Sequence, residues 1–487
     1  MPTGTGKTFC QAAIIANDII MNPNQFRMYV INAPRILLTY QLLKEVYGFL
    51  IKSGIEARYM FVHSGGGTDE TELETIRISA KAEGHNIPFS EIGASVSPNG
   101  VRDMMRKAKK QNLPLIMFST YHSAEKIEVA RKGFKQPISV ILNDEAHYLV
   151  QEQFHDILRV LISSRCYFFT ATTIQTPSDE GRGMNNTDQY GEILYSMSPR
   201  EAIEMGRMVR PRLHIVHTEG VNYTSDDYDK SLNLIIKDSF RQHQEVLSTQ
   251  NPKLLISTKG TQDILDFINS IEYRQLRDDN VHIYAIASTT TIGNNINGER
   301  MGRQEFLRRL KADGENPELK LIVLHYDILA EGIDVSGFTG IMPMRTLKKS
   351  KFLQTYGRAG RMDAEDKIKL STGEIKPHEL NKMNKPFSYI IIPNIVHAMN
   401  EDDRANLTQI IYEMRNFDFD PFDNIIYSEG PPHGERKHKD TDTLTTAVKN
   451  PPSTGVLIQN LKAVIEAKKI ASLTDLEKLK HQFDPKE

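Results

Sequence analysis

The sequence predicts an α/β protein with two parallel-sheet domains in tandem, followed by a small, mainly helical carboxy-terminal extension. Short apolar strands alternate with helical segments, which is the order that produces parallel sheets. The short polar motifs follow these strands, at the carboxyl ends where such sheets gather functional groups. Because the pattern occurs twice, we predict domains at residues 1–215 and 216–400, with the extension at 401–487.

Composition narrows the classes of protein. The 487 residues include 60 Lys+Arg and 62 Asp+Glu, for a net charge of −2. This balance excludes a protein that coats nucleic acid through bulk charge, although it allows a local groove. No run of about 18 apolar residues is present, so no membrane span is expected. The two cysteines, Cys10 and Cys166, favour a reducing, cytoplasmic setting over a disulfide scaffold.

The amino-terminal residues fit the end of a phosphate-binding loop. They read Met-Pro-Thr-Gly-Thr-Gly-Lys-Thr, against the pattern G-x-x-x-x-G-K-[ST], with Met1 in place of the first glycine. In this pattern glycines let N–H groups face a phosphate, lysine reaches the β- and γ-phosphates, and the hydroxyl binds Mg²⁺. A chance turn is the alternative unless partners lie downstream. The candidate nucleotide-binding residues are Gly4, Thr5, Gly6, Lys7 and Thr8, with Thr8 also a candidate metal ligand.

An acidic pair ends the apolar strand that begins at Ser139. Asp144 suits Mg²⁺ binding, and Glu145 suits a general base for an attacking water. An exposed turn is the ordinary explanation of an Asp-Glu pair, but the run Asp-Glu-Ala-His147 makes it a poor one. Two further strands are predicted at Tyr29–Ala33 and Cys166–Phe169, and the second runs into Thr170-Ala-Thr172.

The second half repeats the alternation of strands and helices. Its strands are predicted at Leu254–Ser257, Val281–Ile286, Leu321–Leu324 and Tyr389–Ile392. The run Gln354-Thr-Tyr-Gly-Arg358-Ala-Gly-Arg361 falls on a predicted helix, where two arginines three apart share a face. Such a pair can present cations to a γ-phosphate. A solvated basic face is the alternative, but the flanking glycines weaken it because they lower helix stability.

Five motifs in this order resemble those of the superfamily 2 helicases. They are the P-loop, Asp-Glu-Ala-His, Thr-Ala-Thr, Ala-Glu-Gly-Ile-Asp and Gln-x-x-Gly-Arg-x-Gly-Arg, spread over residues 1–400. The resemblance implies two RecA-like domains that bind ATP and Mg²⁺ in the cleft between them and act on nucleic acid. Catalytic roles are implied for Lys7, Asp144, Glu145, Gln354, Arg358 and Arg361, with Asp144 holding Mg²⁺.

The resemblance assigns roles to further residues. It implies nucleotide contact through Gly332 and Asp334. It implies coupling of hydrolysis to domain movement through His147, Thr170 and Thr172. Backbone contacts to nucleic acid are implied for Arg35, Thr120, Tyr121, Ser257 and Thr258, since hydroxyls and an arginine suit phosphate contact without base readout.

Within the superfamily, the residues favour a branch that acts on DNA. Thr355 stands where the DEAH-box RNA helicases have Arg, and Gln354 stands where the DEAD-box RNA helicases have His. The segments Val62–Gly65, Phe169–Thr172 and Tyr190–Pro211 look closer to type III restriction translocases and phage recombination helicases. The resemblance therefore implies an ATP-dependent DNA helicase or translocase. An RNA helicase is the alternative, and a phage origin in a bacterial host is a guess from the same likeness.

A P-loop joins a strand to a helix, yet no residue ahead of this loop supplies the strand. We therefore expect a first domain without it, which would deprive neighbouring strands of a ladder partner. A truncated or mis-started chain explains this better than a fold that dispenses with the strand. An ATPase-deficient fragment that binds nucleic acid or a partner is thus an alternative function. In the extension, residues 428–455 predict a Pro/Gly-rich linker, and Val456–Phe483 predict helices.

Overall fold

The fold is that of a computed structural model, in which the chain divides into two compact units. The first unit comprises Met1–Ala202 with Leu329–Asp334, and the second comprises Ile203–Ile328 with Val335–Glu487. Each unit is built around its own sheet. The structure describes residues 1–63, 92–95, 97–161, 163, 165–177, 181–218, 225–244, 251–287, 292–326, 337–345, 347, 349–395 and 425–429.

The sheet of the first unit has six described strands, all parallel, in the order β3-β2-β4-β1-β5-β6. The strands are β1 Met28–Ala33, β2 Arg58–Val62, β3 Ile92–Ser95, β4 Leu115–Thr120, β5 Val140–Asp144 and β6 Cys166–Phe169. Strands β1, β4 and β5 are buried along their whole length, as in sheets covered on both faces. The predicted α/β class is confirmed.

Helices cover both faces of this sheet. They are α1 Lys7–Met21, α2 Ile36–Lys52, α3 Pro98–Gln111, α4 Ala124–Phe134, α5 Glu152–His155, α6 Ile157–Val160, α7 Thr187–Tyr190 and α8 Pro199–Glu204. Successive residues of a strand point to opposite faces. Tyr29 and Ile31 accordingly join a core with α1 and α2, whereas Met28 and Val30 join a core with α3 and α4.

The phosphate-binding loop lies at the start of the described residues. Residues 1–6 lead directly into α1, and the Met1 amino group donates to the Thr170 carbonyl oxygen at 3.3 Å. Strand β6 pairs with β5, and within the described residues it has no second partner. Its residues are exposed or half-buried, in contrast to the buried β5.

The sheet of the second unit has nine described strands in the order β11-β10-β9-β12-β8-β13-β14-β7-β15. They are β7 Arg210–Thr218, β8 Lys253–Ser257, β9 Val281–Ile286, β10 Asn294–Ile296, β11 Glu299–Met301, β12 Lys320–His325, β13 Gly340–Pro343, β14 Phe387–Ile395 and β15 Ile425–Glu429. The pairs β9–β10 and β10–β11 are antiparallel, and the others are parallel.

Helices of the second unit are α9 Ser225–Gln244, α10 Thr261–Asn269, α11 Ile271–Asp278, α12 Arg303–Glu315, α13 Lys349–Ala359 and α14 Ala364–Thr372. Strand β15 lies in the predicted extension and pairs with β7. The predicted linker and helices lie outside the described residues, apart from the last two residues of β15. No helix in the described part of the chain is long and apolar enough to cross a membrane.

His243 is a fully buried imidazole on α9. Its ring stacks on Tyr389 with centroids 3.7 Å apart, and both ring nitrogens lack a hydrogen-bond partner within the described residues. Burial, and then the neighbouring His214, hold the pKa of His243 well below its usual value of 6.5. The folded state therefore keeps this ring neutral at a pH where the unfolded chain binds a proton.

This difference predicts an acid-sensitive stability. Below pH 6.5 the free energy of unfolding should fall by up to about 1.4 kcal/mol per pH unit through His243 alone. Urea denaturation at pH 8 and pH 5.5 measures the effect, and His243→Leu should remove it. The exposed His378→Gln serves as control and should behave like the wild type. An equally steep loss of stability in His243→Leu would show that other groups cause it.

Candidate functional site

The phosphate-binding turn has the backbone that its sequence predicts. Gly4 and Gly6 have φ angles of 82° and 103°, which residues with a side chain rarely adopt. Helix α1 begins at Lys7, without a side-chain cap and without an acidic residue in its first turn. The N–H groups at this end of the helix are therefore available to bind an anion, and the helix dipole favours negative charge at this position.

The side chain of Lys7 lies back over this turn. It is 9% exposed, and its Nζ donates to the carbonyl oxygens of Met1 and Pro2, each at 3.4 Å. The Thr5 hydroxyl also donates to the Pro2 carbonyl, at 2.8 Å, which closes the turn. Both Lys7 contacts are long, so a phosphate oxygen could replace these carbonyls at little cost.

A hydrogen bond joins the loop helix to the acidic pair. Gln11, fully buried on α1, donates through Nε2 to Oδ1 of Asp144 at 2.8 Å. Asp144 ends β5 and is 5% exposed. Burial, followed by the Glu145 carboxylate, raises the pKa of Asp144 to about 7, although Lys7 and Gln11 act in the opposite direction. A nearby cation would favour the charged form of such a carboxylate.

Glu145 occupies a strained position next to it. Its φ of 48° places a residue other than glycine in the left-handed region, which often marks functional sites. Its Oε2 is buried and accepts no hydrogen bond from the described residues. His147 Nδ1 lies 3.4 Å from this oxygen. An orphaned carboxylate oxygen is what a general base for a bound water would present.

His147 connects the acidic pair to the Thr-Ala-Thr segment. Its Nδ1 lies 3.0 Å from Oγ1 of Thr170, whose hydroxyl donates to the Thr172 carbonyl at 2.8 Å. Since that hydroxyl proton is already used, Nδ1 is the donor in this pair. The Thr172 N–H donates back to Thr170 Oγ1 at 3.1 Å. Burial is the main reason that the pKa of His147 lies below its usual value.

These residues fit a nucleotide with Mg²⁺. The turn and the end of α1 supply N–H donors and a cation, while Asp144 and the half-buried Thr8 supply the hard oxygen ligands that Mg²⁺ prefers. The raised pKa of Asp144 and the orphaned oxygen of Glu145 are both features that a bound cation and its water would relieve.

The candidate nucleic-acid residues differ in accessibility. Arg35 is exposed at the start of α2. Tyr121 is fully buried, and its hydroxyl donates to the Asp144 carbonyl oxygen at 2.6 Å. Thr120, Ser257 and Thr258 are also buried, each within 3.1 Å of a polar atom of its own unit. In this structure the tyrosine fixes the end of β5, and the three smaller hydroxyls form internal hydrogen bonds.

In the second unit, the two arginines do not share one helix, which corrects the sequence prediction. Gln354 and Arg358 lie on α13 and are largely buried. The helix ends at Ala359, and Arg361 forms an isolated antiparallel bridge with Met208. A Cβ at Gly360 would meet side-chain carbons of Met208 and Tyr356 at 3.2 Å. The glycine is thus explained by close packing.

Some predicted residues fall outside the described part of the chain, and others were not foreseen. Gly332 and Asp334 lie outside the described residues. Gln11 was missed, although it lies four residues after Lys7 and therefore on the same side of a helix. Tyr121 was identified, but its bond to the strand carrying Asp144 could not be inferred from sequence. Lys385, which contacts the Arg361 segment, carried no sequence signal.

Comparison with known families gives one match. Residues 1–175 match the family described as type III restriction enzyme, res subunit. No curated protein matches the chain. The match and the motif order confirm the resemblance to superfamily 2 helicases, including their restriction-enzyme members.

One solved structure shares the fold at low identity, and two others are similar at lower TM-scores. LlaBIII, an ATP-dependent type ISP restriction-modification enzyme bound to DNA, is 16% identical with a TM-score of 0.63, over 88% of this chain and 30% of that one. A nuclease-deletion mutant of LlaGI with a DNA substrate mimic is 16% identical, with a TM-score of 0.48, over 86% and 26%. Mss116p bound to ssRNA and AMP-PNP is 17% identical, with a TM-score of 0.44, over 86% and 78%. This chain therefore spans about a third of the LlaBIII chain.

Proposed function

We propose that this chain is the ATP-hydrolysing part of a nucleic-acid helicase or translocase that acts on DNA. One observation carries the proposal: Lys7, Asp144, Glu145 and His147 lie in a single connected cluster of the first unit. Gln11 links the loop helix to Asp144, and His147 links Glu145 to Thr170. Phosphate binding, cation binding and a general base thereby meet at the carboxyl ends of parallel strands.

The proposed roles follow from the chemistry of each group. Lys7 would exchange its two long contacts with loop carbonyls for phosphate oxygens, and Thr8 and Asp144 would hold Mg²⁺. Glu145 accepts a proton from the attacking water through the carboxylate oxygen that has no hydrogen bond. Because His147 lies between Glu145 and Thr170, hydrolysis alters the hydrogen bonds of the Thr170–Thr172 segment. That segment is the proposed coupling element between the nucleotide and the nucleic acid.

Residues of the second half of the chain complete the proposal. Gln354, Arg358 and Arg361 sense the γ-phosphate, with the arginines stabilising the charge that develops in the transition state. Gly332 and Asp334 contribute further nucleotide contacts. This part rests on the order of the motifs in the sequence. Each cycle of ATP binding and hydrolysis moves the protein along a strand.

DNA is the proposed substrate. The res-subunit match and the DNA-bound LlaBIII structure support this choice, together with Gln354 and Thr355 in the last motif. Arg35 is an exposed candidate for a phosphate contact.

ATP hydrolysis by this chain tests the proposal. The rate of ATP hydrolysis should be measured without nucleic acid and with single-stranded DNA, duplex DNA or single-stranded RNA. The same measurements should be made on the Lys7→Ala variant. We expect turnover that requires Lys7 and rises several-fold more with DNA than with RNA. The exposed Lys52→Ala should keep wild-type turnover.

Other results would each favour a different function. Stimulation mainly by RNA would identify an RNA helicase. Turnover that persists in Lys7→Ala would overturn the site. Tight nucleic-acid binding without turnover would indicate an ATPase-deficient binding fragment.

A further inference from the structure

A buried lysine lies beneath the last motif of the second unit. Lys385 is 1% exposed and stands two residues before β14. Its Nζ donates to the Ala359 carbonyl oxygen at 2.6 Å and to the Arg361 carbonyl oxygen at 2.7 Å. The Lys385 side chain thus links the last residue of α13 to the backbone of Arg361, the second arginine of the motif.

The backbone of this lysine is itself fixed. Asp366, fully buried on α14, accepts the N–H of Asn384 at 2.8 Å and that of Lys385 at 3.0 Å, one on each carboxylate oxygen. Asp363 caps the same helix and accepts from Asn384 Nδ2 at 3.3 Å. Lys385 therefore reaches toward Arg361 from a rigid base next to a strand inside the sheet.

The opposite side of the Ala359–Arg361 segment is also held. The Val209 N–H donates to the Gly360 carbonyl oxygen at 2.9 Å, and Arg361 bridges Met208. The Tyr356 hydroxyl donates to the Val209 carbonyl oxygen at 3.1 Å. Backbone contacts from Met208 and Val209 therefore hold one side of this segment. On the other side, Lys385 donates to the carbonyl oxygens of the residues before and after Gly360.

We propose that Lys385 is a positioning residue that fixes the backbone of Arg361 so that its guanidinium can act on the γ-phosphate. The proposal rests on the function proposed above for Arg361. Preorganised charge is effective in catalysis only when it is held in place, and a displacement of 1 Å can lower a rate by about 10²-fold.

The hydrogen bonds of the buried amine agree with this role. Burial, together with the nearby cations Lys253, Lys367 and Arg361, lowers the pKa of Lys385 to about 7, although Asp363 opposes the shift. The two carbonyl oxygens accept N–H groups of the amine, which offsets part of the cost of burying this polar group.

The first test measures the backbone directly. Lys385→Met keeps the length and apolar volume of the side chain but removes the donor. Hydrogen–deuterium exchange should become about tenfold faster for amides of residues 356–362, and remain unchanged for helix α4 of the first unit. Lys382→Met, an exposed neighbour that pairs with Glu379, is the matched control and should match the wild type. Unchanged exchange in Lys385→Met would overturn the proposal.

The second test measures catalysis. In Lys385→Met we expect kcat for ATP to fall about tenfold or more while nucleotide affinity changes little, because only the transition-state contact is displaced. Lys385→Gln, which restores two N–H groups on a shorter side chain, should recover part of kcat. It also serves as the second variant if Lys385→Met does not fold. A purely structural role would lower thermal stability in both variants and leave kcat unchanged.

The two tests separate two failures. Faster exchange in the variant, combined with a wild type that shows no Lys7-dependent turnover, would refute the proposed function but keep the backbone contact. Faster exchange with an active wild type and an unchanged kcat in Lys385→Met would refute the positioning role alone.

Discussion

Glu145→Gln is expected to lower ATP turnover by about 10²- to 10⁴-fold, the range that a general base contributes. The amide cannot accept a proton from water, yet it keeps the size of the side chain and its place beside His147. ATP binding should remain close to that of the wild type, because the loop and Lys7 are untouched. Steady-state hydrolysis and fluorescent-nucleotide binding together measure the two effects.

The control for this variant is Glu152→Gln, on an exposed glutamate whose side chain is 93% accessible. It should keep full turnover. Wild-type turnover in Glu145→Gln would remove Glu145 from the proposed mechanism. Equal loss of turnover and of nucleotide binding would instead assign Glu145 to the shape of the binding loop.

Arg361→Ala should lower ATP hydrolysis by about 10³-fold or more, the lower end of what an arginine finger contributes. Nucleotide binding should change far less, because the guanidinium acts on charge that develops in the transition state. Since Arg361 lies beyond the end of α13, the substitution should leave that helix intact. Single-turnover hydrolysis with saturating enzyme separates the chemical step from binding.

Arg274→Ala, an exposed arginine on α11, is the matched control and should leave both quantities unchanged. Equal losses of binding and hydrolysis in Arg361→Ala would contradict the finger role and indicate a general contribution to nucleotide affinity. A normal rate would remove Arg361 from the site altogether.

The sequence predicted three strands of the first sheet well. Strand β6 was predicted at its observed bounds, and the buried strands β1 and β5 within one residue. These strands are short apolar runs that end in polar motifs, a pattern that is typical of parallel strands. Because each motif directly follows its apolar run, the same pattern correctly placed the acidic pair and the Thr-Ala-Thr segment at the carboxyl ends of β5 and β6.

Other elements were not predicted. Strand β2 was missed, and so was β15, which lies in the predicted extension, has its last two residues in the predicted linker, and pairs with the distant segment β7 of the sequence. The hairpin of β10 and β11 was missed although Asn297-Gly298 is a turn signal, and both residues adopt positive φ of 52° and 93°. The predicted helix shared by Arg358 and Arg361 was wrong, because α13 ends at Ala359 and Arg361 forms a bridge with Met208 instead.

The sequence by itself determined which chemistry is available: a phosphate-binding turn, an acidic pair, hydroxyls at strand ends and a pair of arginines. Only the tertiary structure decided how these groups are tuned. Gln11 reaches Asp144 across 133 residues, and His147 reaches Thr170 across 23. Such contacts depend on strand order and packing, which no local pattern encodes. Burial likewise exists only in the folded chain, and it raises the pKa of Asp144. Folding also places the Lys385 amine within hydrogen-bond distance of the Arg361 carbonyl oxygen.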